Sequence, residues 1–459
     1  MVAGGHHQNT QQQGLQKASN LSQPGGIYPG LYHGGPDAYN RRLPVALNLR
    51  CHQSLVPIRL EPVMFETLKL LPADPILGLS MAYAKDTNPA KVDLGVGVYK
   101  NDEGQTPIMA AVAEAEKQRI TRETTKAYTP PAGYPGANEA VTRLIYGEGH
   151  VAVLANRVRT IQTPGGCGAL RVAAELIQRA KPGASIWVST PTWANHIPLL
   201  GSAGLSLKEY PYYDYTSHSI NLEAMLATLK TIPRGDLVLL HACCHNPSGA
   251  DLSRAQWDQV ADVLQERGVI PFVDMAYQGF GEGLDEDTYG LRLLASRLPE
   301  VVIATSFSKN FGLYRERAGS LSLVLADAAQ ADATNSQLLS VTRGLYSMPP
   351  AHGAALVDII LHSPELTALW QRELTSMRER IAGLRVDLVA ALNGLQQQRD
   401  FSFIAQERGM FSFLGLNVEQ VQKLRSEYSI YMTDNSRISV AGLRAQNIDY
   451  VARAVVAVL

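Results

Sequence analysis

Residues 236–274, DLVLLHACCHNPSGADLSRAQWDQVADVLQERGVIPFVD, decide the fold of this chain. The run 236–244 is mostly apolar, residues 254–268 carry apolar side chains at helical spacing, and residues 269–274 are again mostly apolar. Short apolar runs predict strands, and a helix between two of them predicts a crossover connection. The stretch therefore predicts two parallel strands of one sheet.

The same alternation extends in both directions, from about residue 160 to about residue 326. Runs with strand character lie at 160–163, 185–190, 301–307 and 320–326, and helical patterns lie at 168–180 and 221–230. Strands that alternate with helices of this length predict an α/β fold, in which a mostly parallel sheet is flanked by helices.

The C-terminal part has a different pattern. Apolar side chains recur every three or four residues between Leu366 and Leu395, which predicts one long amphipathic helix of about 364–395. A helix of that length is suited to joining two domains. The short apolar runs that follow it, together with a terminal helix, predict a smaller α+β unit.

Composition restricts the function classes. The chain has 459 residues, and 41 Lys and Arg nearly balance 42 Asp and Glu, so neither a nucleic-acid binder nor a polybasic membrane-surface protein is indicated. No apolar run reaches the roughly 18 residues that a membrane helix needs. The start lacks a secretory-signal layout, and the chain has only four cysteines, too few for a disulfide framework. These features favour a cytoplasmic protein.

Residues 1–63 differ from the rest of the chain because they are rich in Gly, Gln, His and Asn and show no sustained helical or strand period. Such a segment cannot bury enough apolar surface to offset its ordering entropy, so we expect disorder there. Met64 is followed directly by FETLKLLPADPILGLS. Residues 1–63 are therefore interpreted as an upstream extension or a misplaced translation start.

Unusual polar residues cluster where the predicted strands end. In open parallel sheets the ligand crevice lies at the carboxyl ends of the strands. We therefore expect one site to hold the polar residues that follow these strands, namely Cys167, Asn246, Asp274, Tyr277, Ser306, Ser308, Lys309 and Arg317.

A phosphate-binding loop is predicted at the first of these strand ends. Gly165, Gly166 and Gly168 lie between a strand and a helix, where backbone N–H groups and the helix N-terminus favour an anion. The pattern matches neither the dinucleotide fingerprint nor a Walker loop. Ser306, Ser308 and Arg317 add hydroxyl and guanidinium donors.

Lys309 and Asp274 indicate which phosphate compound is bound. Lys309 follows a buried strand, where desolvation lowers the pKa of an amine and frees it to act as nucleophile or base. Asp274 ends the most apolar strand, where a carboxylate needs a cationic partner. Pyridoxal phosphate combines a phosphate, a reactive aldehyde and a ring nitrogen that can be protonated. These residues therefore predict a pyridoxal phosphate enzyme.

The motif HACCH, residues 241–245, has the composition of a metal site but not the spacing of one. If Cys243 and Cys244 lie on a strand, their side chains face opposite sides and do not reach one tetrahedral zinc ion. We therefore interpret them as a buried, reduced pair in a core strand, and we expect no metal.

From Met64 to Leu459 the sequence resembles the class I pyridoxal-phosphate aminotransferases, in particular their aspartate/aromatic amino-acid branch. The resemblance rests on the motifs DPILGL, VDLGVGVYKNDEG, TPGGCGALR, CCHNPSG, DMAYQGF, SFSKNFGLYRERAG, YSMPPAHGA and GMFSF. It implies the type I fold of pyridoxal phosphate enzymes. The implied domains are an arm and part of the small domain at 64–107, a large domain at 108–376 and the remainder of the small domain at 377–459.

The resemblance also implies roles for single residues. Lys309 would form the aldimine with the cofactor and shuttle the proton, Asp274 would pair with the ring nitrogen, and His196 would support Asp274. Tyr277 and Asn246 would bond the ring oxygen, and Trp193 would stack on the ring. The implied phosphate ligands are Gly166, Cys167, Ser306, Ser308, Arg317 and Tyr128 of a second subunit, so that the active unit is a homodimer. Cys167 stands where the family usually has Thr or Ser, and a thiol is a weaker donor.

For the substrate, the resemblance implies that Arg437 grips the α-carboxylate and that Gly97 leaves room for it. Arg343, donated by the partner subunit, would bind the distal carboxylate of a dicarboxylic substrate. The implied reaction is ping-pong transamination between an amino acid and 2-oxoglutarate. Aspartate and aromatic amino acids both stay open as donors, because Arg343 occurs with either preference.

Three other functions are weighed against this one. A lyase or decarboxylase could use the same cofactor residues, but the pair Arg343 and Arg437 suits an enzyme that exchanges dicarboxylates. A nucleotide-dependent oxidoreductase would need the fingerprint that is missing here. A transcriptional regulator would need an N-terminal helix-turn-helix, and residues 1–63 show no helical period.

Overall fold

The computed structural model, which describes residues 64–71, 75–396 and 398–459, contains a seven-stranded sheet and three two-stranded sheets among these residues. The expectation of disorder for residues 1–63 lies outside these described residues. The strands are β1 (Val92–Asp93), β2 (Val158–Pro164), β3 (Ser185–Thr190), β4 (Ser206–Pro211), β5 (Tyr213–Asp214), β6 (Ser219–Ile220), β7 (Leu237–His241), β8 (Ile270–Met275), β9 (Val301–Ser306), β10 (Ala318–Val324), β11 (Phe411–Phe413), β12 (Ile430–Tyr431) and β13 (Arg437–Ser439).

Helices pack around these strands, and short 3-10 turns lie at Met64–Thr67, Glu286–Thr288 and Val440–Gly442. The α-helices are α1 (Pro75–Lys85), α2 (Ala110–Arg122), α3 (Pro135–Tyr146), α4 (Val151–Leu154), α5 (Gly165–Ala180), α6 (His196–Gly201), α7 (Leu222–Leu229), α8 (Arg254–Arg267), α9 (Tyr289–Arg297), α10 (Ala328–Leu345), α11 (Ala351–His362), α12 (Pro364–Leu395), α13 (Phe403–Gln406), α14 (Val418–Tyr428) and α15 (Ala445–Val458).

The large sheet has the order β2-β10-β9-β8-β7-β3-β4. The pairs from β9 through β8, β7 and β3 to β4 are parallel, whereas β10 is antiparallel to both of its neighbours. The direction of β10 follows from its connection, because residues 307–317 form no helix that could return the chain across the sheet. The predicted α/β class with a mostly parallel sheet is confirmed.

The decisive stretch folds as its sequence predicts, into β7, α8 and β8. Helix α8 begins with a capping box in which Ser253 and Gln256 exchange hydrogen bonds. It ends at Gly268, whose φ of 64° is the left-handed conformation that glycine adopts without strain. All five residues Pro271–Met275 of β8 are buried, as expected for a central strand covered on both faces.

The long helix α12 supports the loop that follows β9. It occupies the range that the apolar periodicity predicts, and its N-terminus is capped by the hydroxyl of Ser363. The indole N–H of Trp370 donates to the carbonyl oxygen of Asn310 over 2.6 Å, and the Trp370 ring stacks on Phe311 with 4.4 Å between ring centroids. Helix α12 thereby fixes the backbone next to Lys309.

Two small sheets bring distant segments together. Strands β1 and β12 pair in parallel, with Val92 opposite Ile430, and β11 and β13 pair antiparallel, with Phe413 opposite Arg437. The backbone N–H of Ser439 donates to the carbonyl oxygen of Leu94 over 2.7 Å. These pairings place residues 94–97 beside the strand that carries Arg437.

Contacts divide the chain into two units, Met1–Leu70 and Leu71–Leu459. In the first unit, the side chains of Met64–Thr67 are exposed. The second unit contains every strand that is described. The division of residues 64–459 into a large and a small domain stays a prediction. Among the described residues, no helix combines the length and the apolar character that crossing a bilayer requires.

A buried ion pair joins α12 to the segment that leads into β11. The side chains of Arg385 and Glu407 are 2% and 3% exposed, and their closest N and O atoms are 3.2 Å apart. Arg385 also donates to the carbonyl oxygens of Ile404, Arg408, Gly409 and Phe411. One guanidinium therefore holds most of the turn that precedes β11.

Burial raises the pKa of Glu407 to about 8 even beside Arg385. Substitution Arg385→Leu is expected to lower the free energy of unfolding by about 3–5 kcal/mol, because it removes the partner of Glu407 and the donor to four buried carbonyl oxygens. Chemical denaturation monitored by circular dichroism measures the change. The control is Arg372→Leu, which removes an exposed arginine from the same helix and should change stability by less than about 0.5 kcal/mol. Equal effects of the two substitutions would contradict the assignment.

Candidate active site

A cavity of about 250 Å³ lies where β7, β8 and β9 end. Most of the residues predicted from the sequence line it together. They are Gly97, Gly166, Cys167, Trp193, Asn246, Asp274, Tyr277, Ser306, Ser308, Lys309, Arg317 and Arg437. The expectation that polar residues at these strand ends converge is therefore met, whereas the roles of the single residues stay predictions.

Asp274 is the anionic group of the cavity and is 9% exposed. Its Oδ2 lies 2.9 Å from Nε2 of His196, and Thr192 Oγ1 lies 2.9 Å from Nδ1 of the same ring. Burial raises the pKa of Asp274, but the hydrogen bond with His196 and the nearby positive charge of Lys309 outweigh it and hold the pKa below its usual value. Asp274 is therefore a carboxylate at neutral pH.

Lys309 follows β9, and its Nζ lies 4.8 Å from the centre of the Tyr277 ring. Burial lowers the pKa of Lys309, and the carboxylate of Asp274 opposes that shift. Burial also raises the pKa of the Tyr277 hydroxyl, which therefore stays protonated. The geometry thus supplies an amine that can lose its proton beside a phenol that keeps its own.

In the predicted phosphate loop, Gly165 packs closely against the side chain of Arg317. Gly165 has a φ of 69° and begins α5, and a Cβ at Gly165 would lie only 2.4 Å from Nη2 of Arg317. Arg317 is itself held by a 2.8 Å hydrogen bond from Nη1 to the carbonyl oxygen of Tyr314. Ser306 and Ser308 lie beside it with their hydroxyl oxygens 3.1 Å apart. These groups offer several donors to one anion.

Cys167 lies on the first turn of α5 and is partly exposed. Burial raises the pKa of its thiol, so the group is a neutral thiol at neutral pH. Asn195 Nδ2 lies 3.9 Å from its sulfur. Cys167 therefore offers an anion a weaker donor than a hydroxyl would.

Arg437 also lines the cavity and is 6% exposed. Its guanidinium lies 4.4 Å from the centre of the Phe411 ring, and Nη2 donates to the carbonyl oxygen of Gly95 over 2.7 Å. A Cβ at Gly97 would lie 2.5 Å from the same Phe411 ring, which explains why a glycine is needed there. Nε of Arg437 has no partner within the described part of the chain, so the guanidinium has capacity for an anion.

Two predicted residues do not line this cavity. Tyr128 is 91% exposed. Arg343 lies in the last turn of α10 and donates to the hydroxyl of Ser347. Both were expected to act in the site of a second subunit, and that expectation stays a prediction.

The sequence reasoning missed several lining residues, including Ile76, His241, Cys243 and Phe411. His241 lies opposite Asp274 in the register of β7 and β8, and burial lowers its pKa to about 3, so its ring is neutral. Its ring centroid is 5.3 Å from that of His196 and 4.3 Å from that of His245. His241 could have been predicted as a lining residue, because it ends a strand next to the strand of Asp274.

The interpretation that Cys243 and Cys244 lie on a core strand is wrong. Strand β7 ends at His241, and Cys244 has a φ of 51°. This left-handed turn removes the strand alternation that would send the two side chains to opposite sides. Both sulfur atoms and a carboxylate oxygen of Asp287 lie within 4.8 Å of one another.

Comparisons with known proteins agree with the predicted resemblance. The sequence model of the family described as Aminotransferase class I and II matches residues 89–455. The chain is 45% identical over 396 residues to an aspartate aminotransferase of Escherichia coli, an alignment that covers 86% of this chain and 100% of that protein. It is 46% identical over 393 residues to an aromatic-amino-acid aminotransferase of Pseudomonas aeruginosa, with 85% and 98% covered.

A solved structure extends the likeness to the fold. The aromatic-amino-acid aminotransferase of Burkholderia pseudomallei, which is covalently bound to pyridoxal phosphate, superposes with a TM-score of 0.85 at 45% identity. The superposition covers 86% of this chain and 99% of that chain. The chain therefore belongs to the class I and II aminotransferase family.

Proposed function

We propose that the chain is a pyridoxal-phosphate-dependent aminotransferase that transfers an amino group between aspartate or an aromatic amino acid and 2-oxoglutarate. One observation carries the proposal: Lys309 and the anionic Asp274 face one cavity, and residues of the predicted phosphate loop and Arg437 line the same cavity. Relatives named for aspartate and for aromatic amino acids match at 45% and 46% identity. Both substrate classes therefore stay in the proposal.

The residues of the cavity fit pyridoxal phosphate. Asn246 is 8% exposed, and its Oδ1 has no hydrogen-bond partner among the described residues. Gly166, Ser306, Ser308 and Arg317 would hold the phosphate, Asp274 would face the ring nitrogen, and Asn246 and Tyr277 would face the ring oxygen. When bound, the coenzyme supplies a carbonyl carbon that accepts the amino group and a ring that delocalises electrons.

The side chains of the chain supply binding and proton transfer. Arg437 would hold the α-carboxylate of the amino acid with two parallel N–H donors, while Phe411 fixes the plane of the guanidinium. The lowered pKa of Lys309 leaves part of the amine free to accept the α-proton. Asp274 stays anionic and favours a protonated ring nitrogen, because an opposite charge nearby raises the pKa of that nitrogen.

The proposal includes a homodimer that works in the cytoplasm. Tyr128 and Arg343 stay outside the cavity of their own chain, so in this proposal each of them reaches the cavity of a second copy. Arg343 would bind the distal carboxylate of aspartate or 2-oxoglutarate, and it would leave room when an aromatic side chain enters.

Lys309→Ala is expected to lower the transamination rate by at least about 10⁴-fold, because it removes the amine that moves the proton. Stopped-flow absorbance of the half-reaction with each amino acid measures the loss. Lys208→Ala, a partly exposed lysine of β4, is the control and should keep near-normal turnover. Near-normal turnover of the Lys309 variant would refute the assignment.

Arg343→Leu is expected to lower kcat/KM for aspartate by about 30-fold or more, the equivalent of at least roughly 2 kcal/mol for a lost carboxylate partner. Phenylalanine and tyrosine should change by less than about threefold, because neither has a distal carboxylate. Steady-state assays of the three donors with 2-oxoglutarate measure both effects. A uniform loss for all three donors would contradict this role.

Mixed dimers test whether the site is shared. Neither Lys309→Ala nor Arg343→Leu homodimers should turn over aspartate well. If Arg343 serves the other subunit, a mixed dimer contains one cavity with both substitutions and one with neither. Aspartate activity should then appear on mixing and subunit exchange. If samples shown to contain mixed dimers gain no aspartate activity, Arg343 does not act in the cavity of the partner subunit.

His196→Phe is expected to raise the pKa of Asp274, because the 2.9 Å hydrogen bond that stabilises the carboxylate is lost while burial remains. Carbon-13 NMR of labelled aspartate in the coenzyme-free protein follows that titration. Thr192→Val keeps the His196 ring and removes only its Thr192 partner, so it should raise the pKa of Asp274 by less than His196→Phe does. An unchanged titration in the His196 variant would show that another group keeps Asp274 ionised.

A further inference from the structure

Two thiols and a carboxylate form a buried cluster behind the loop that follows β7. Cys243, Cys244 and Asp287 are 6%, 2% and 6% exposed. Their sulfur atoms and one carboxylate oxygen lie within 4.8 Å of one another. Thiolate and carboxylate groups at such separations can share one metal ion after small side-chain rotations.

The backbone holds the two thiols on the same side. The N–H groups of Cys244 and His245 donate to the carboxylate of Asp251 over 2.6 and 2.8 Å, which fixes the turn in its left-handed conformation. Gly409 packs against this turn so closely that a Cβ there would lie 2.3 Å from Cβ of Cys244. The backbone of the turn thus keeps the two thiols close together, so that small side-chain rotations are enough for both to reach one ion.

Two carboxylates and one buried guanidinium, that of Arg385, lie near the cluster. Asp287 accepts hydrogen bonds from the N–H groups of Gly279, Gly281 and Glu282 over 2.8–2.9 Å, so its carboxylate is fixed beside the thiols. The carboxylate of Asp251 accepts from the backbone of the same turn. Both carboxylates attract a divalent cation with little screening by water, whereas the Arg385 guanidinium opposes it, so the two thiolates that form on binding supply the remaining negative charge.

A cavity of about 370 Å³ reaches two members of the cluster, Cys243 and Asp287. Its lining also includes charged side chains of both signs, those of Asp251, Glu282, Glu286, Arg254 and Arg408. This space can admit a hydrated ion and retain water as a further ligand. Cys243 lines the coenzyme cavity as well, so the cluster and the candidate active site share one residue.

We propose that Cys243, Cys244 and Asp287 bind one thiophilic divalent cation of the zinc and cadmium class, at a site that adjoins the candidate active-site cavity through Cys243. The soft sulfur ligands select this class over magnesium or calcium. Each thiol gives its proton to water as its sulfur–metal bond forms, and no electron is transferred. Because the oxygens of Asp287 already accept N–H bonds, the thiolates are the strong ligands, and water completes a tetrahedral set.

Cadmium titration of the purified holoenzyme tests the proposal. The chain has four cysteines, so two double variants divide them evenly. The wild type and Cys51→Ser/Cys167→Ser should each show the ultraviolet charge-transfer band of cadmium–thiolate bonds, which saturates at one ion per chain. Cys243→Ser/Cys244→Ser should lose the band, and Asp287→Asn should weaken binding. A band that survives in the Cys243/Cys244 variant, or is absent from the wild type, would overturn the proposal.

X-ray absorption of the wild-type holoenzyme with one equivalent of Zn²⁺ gives a second test that needs no variant. Two sulfur ligands at about 2.3 Å and lighter ligands at about 2.0–2.2 Å are expected. Coordination by nitrogen and oxygen alone would overturn the site even if the cysteine variants fail to fold. Neither measurement depends on transamination, so the site and the proposed function can fail separately.

Discussion

The buried charge of Asp274 is the constraint on which the rest of the site depends. It lies next to the last residue of β8, between His241 of β7 and Ala304 of β9 in the sheet register. A carboxylate in this position costs several kcal/mol unless opposite charge and hydrogen bonds compensate it. The His196 hydrogen bond supplies part of the compensation, and the amine of Lys309 on the next strand end supplies another part. In the proposed function, the groups that stabilise the buried charge of Asp274 would also serve the coenzyme.

In the predicted phosphate loop at the start of α5, groups are again arranged around one charge. Gly165 lacks a side chain where the guanidinium of Arg317 needs the space, so the helix N-terminus and the arginine approach each other without an intervening group. Two sources of positive potential then face one position, and an anion bound there would relieve their mutual repulsion. The glycine loop and the polar residues at the strand ends together therefore predict a bound phosphate more strongly than the glycine pattern alone.

The sequence could predict the alternating strands and helices and the polar residues at the strand ends. Alternating strands and helices identified the sheet, and Asn246, Asp274 and Lys309 were found because each follows an apolar strand. It could not predict that the side chains of Cys243 and Cys244 lie on the same side, because a single positive φ angle, that of Cys244, does not change the hydrophobic periodicity. Arg437 and Gly97 were named only through the resemblance, because the strands that bring their segments together are two or three residues long. His241 and Phe411 were missed, because either residue type is ordinary in a buried strand.

The two arginines to which the proposed function assigns the substrate carboxylates differ in how they are held. Arg437 is held by buried contacts within the chain: Gly95 accepts from its guanidinium, the Phe411 ring lies against it, and Arg385 donates to the carbonyl oxygen of Phe411 over 2.5 Å. In the proposed function, a group fixed by so many buried contacts would suit a substrate feature that never changes, the α-carboxylate. Arg343 is exposed and donates a hydrogen bond to Ser347. Because moving an exposed side chain costs little, Arg343 would suit the part of the substrate that varies, and the proposed acceptance of both aspartate and aromatic amino acids would depend on this difference between the two arginines.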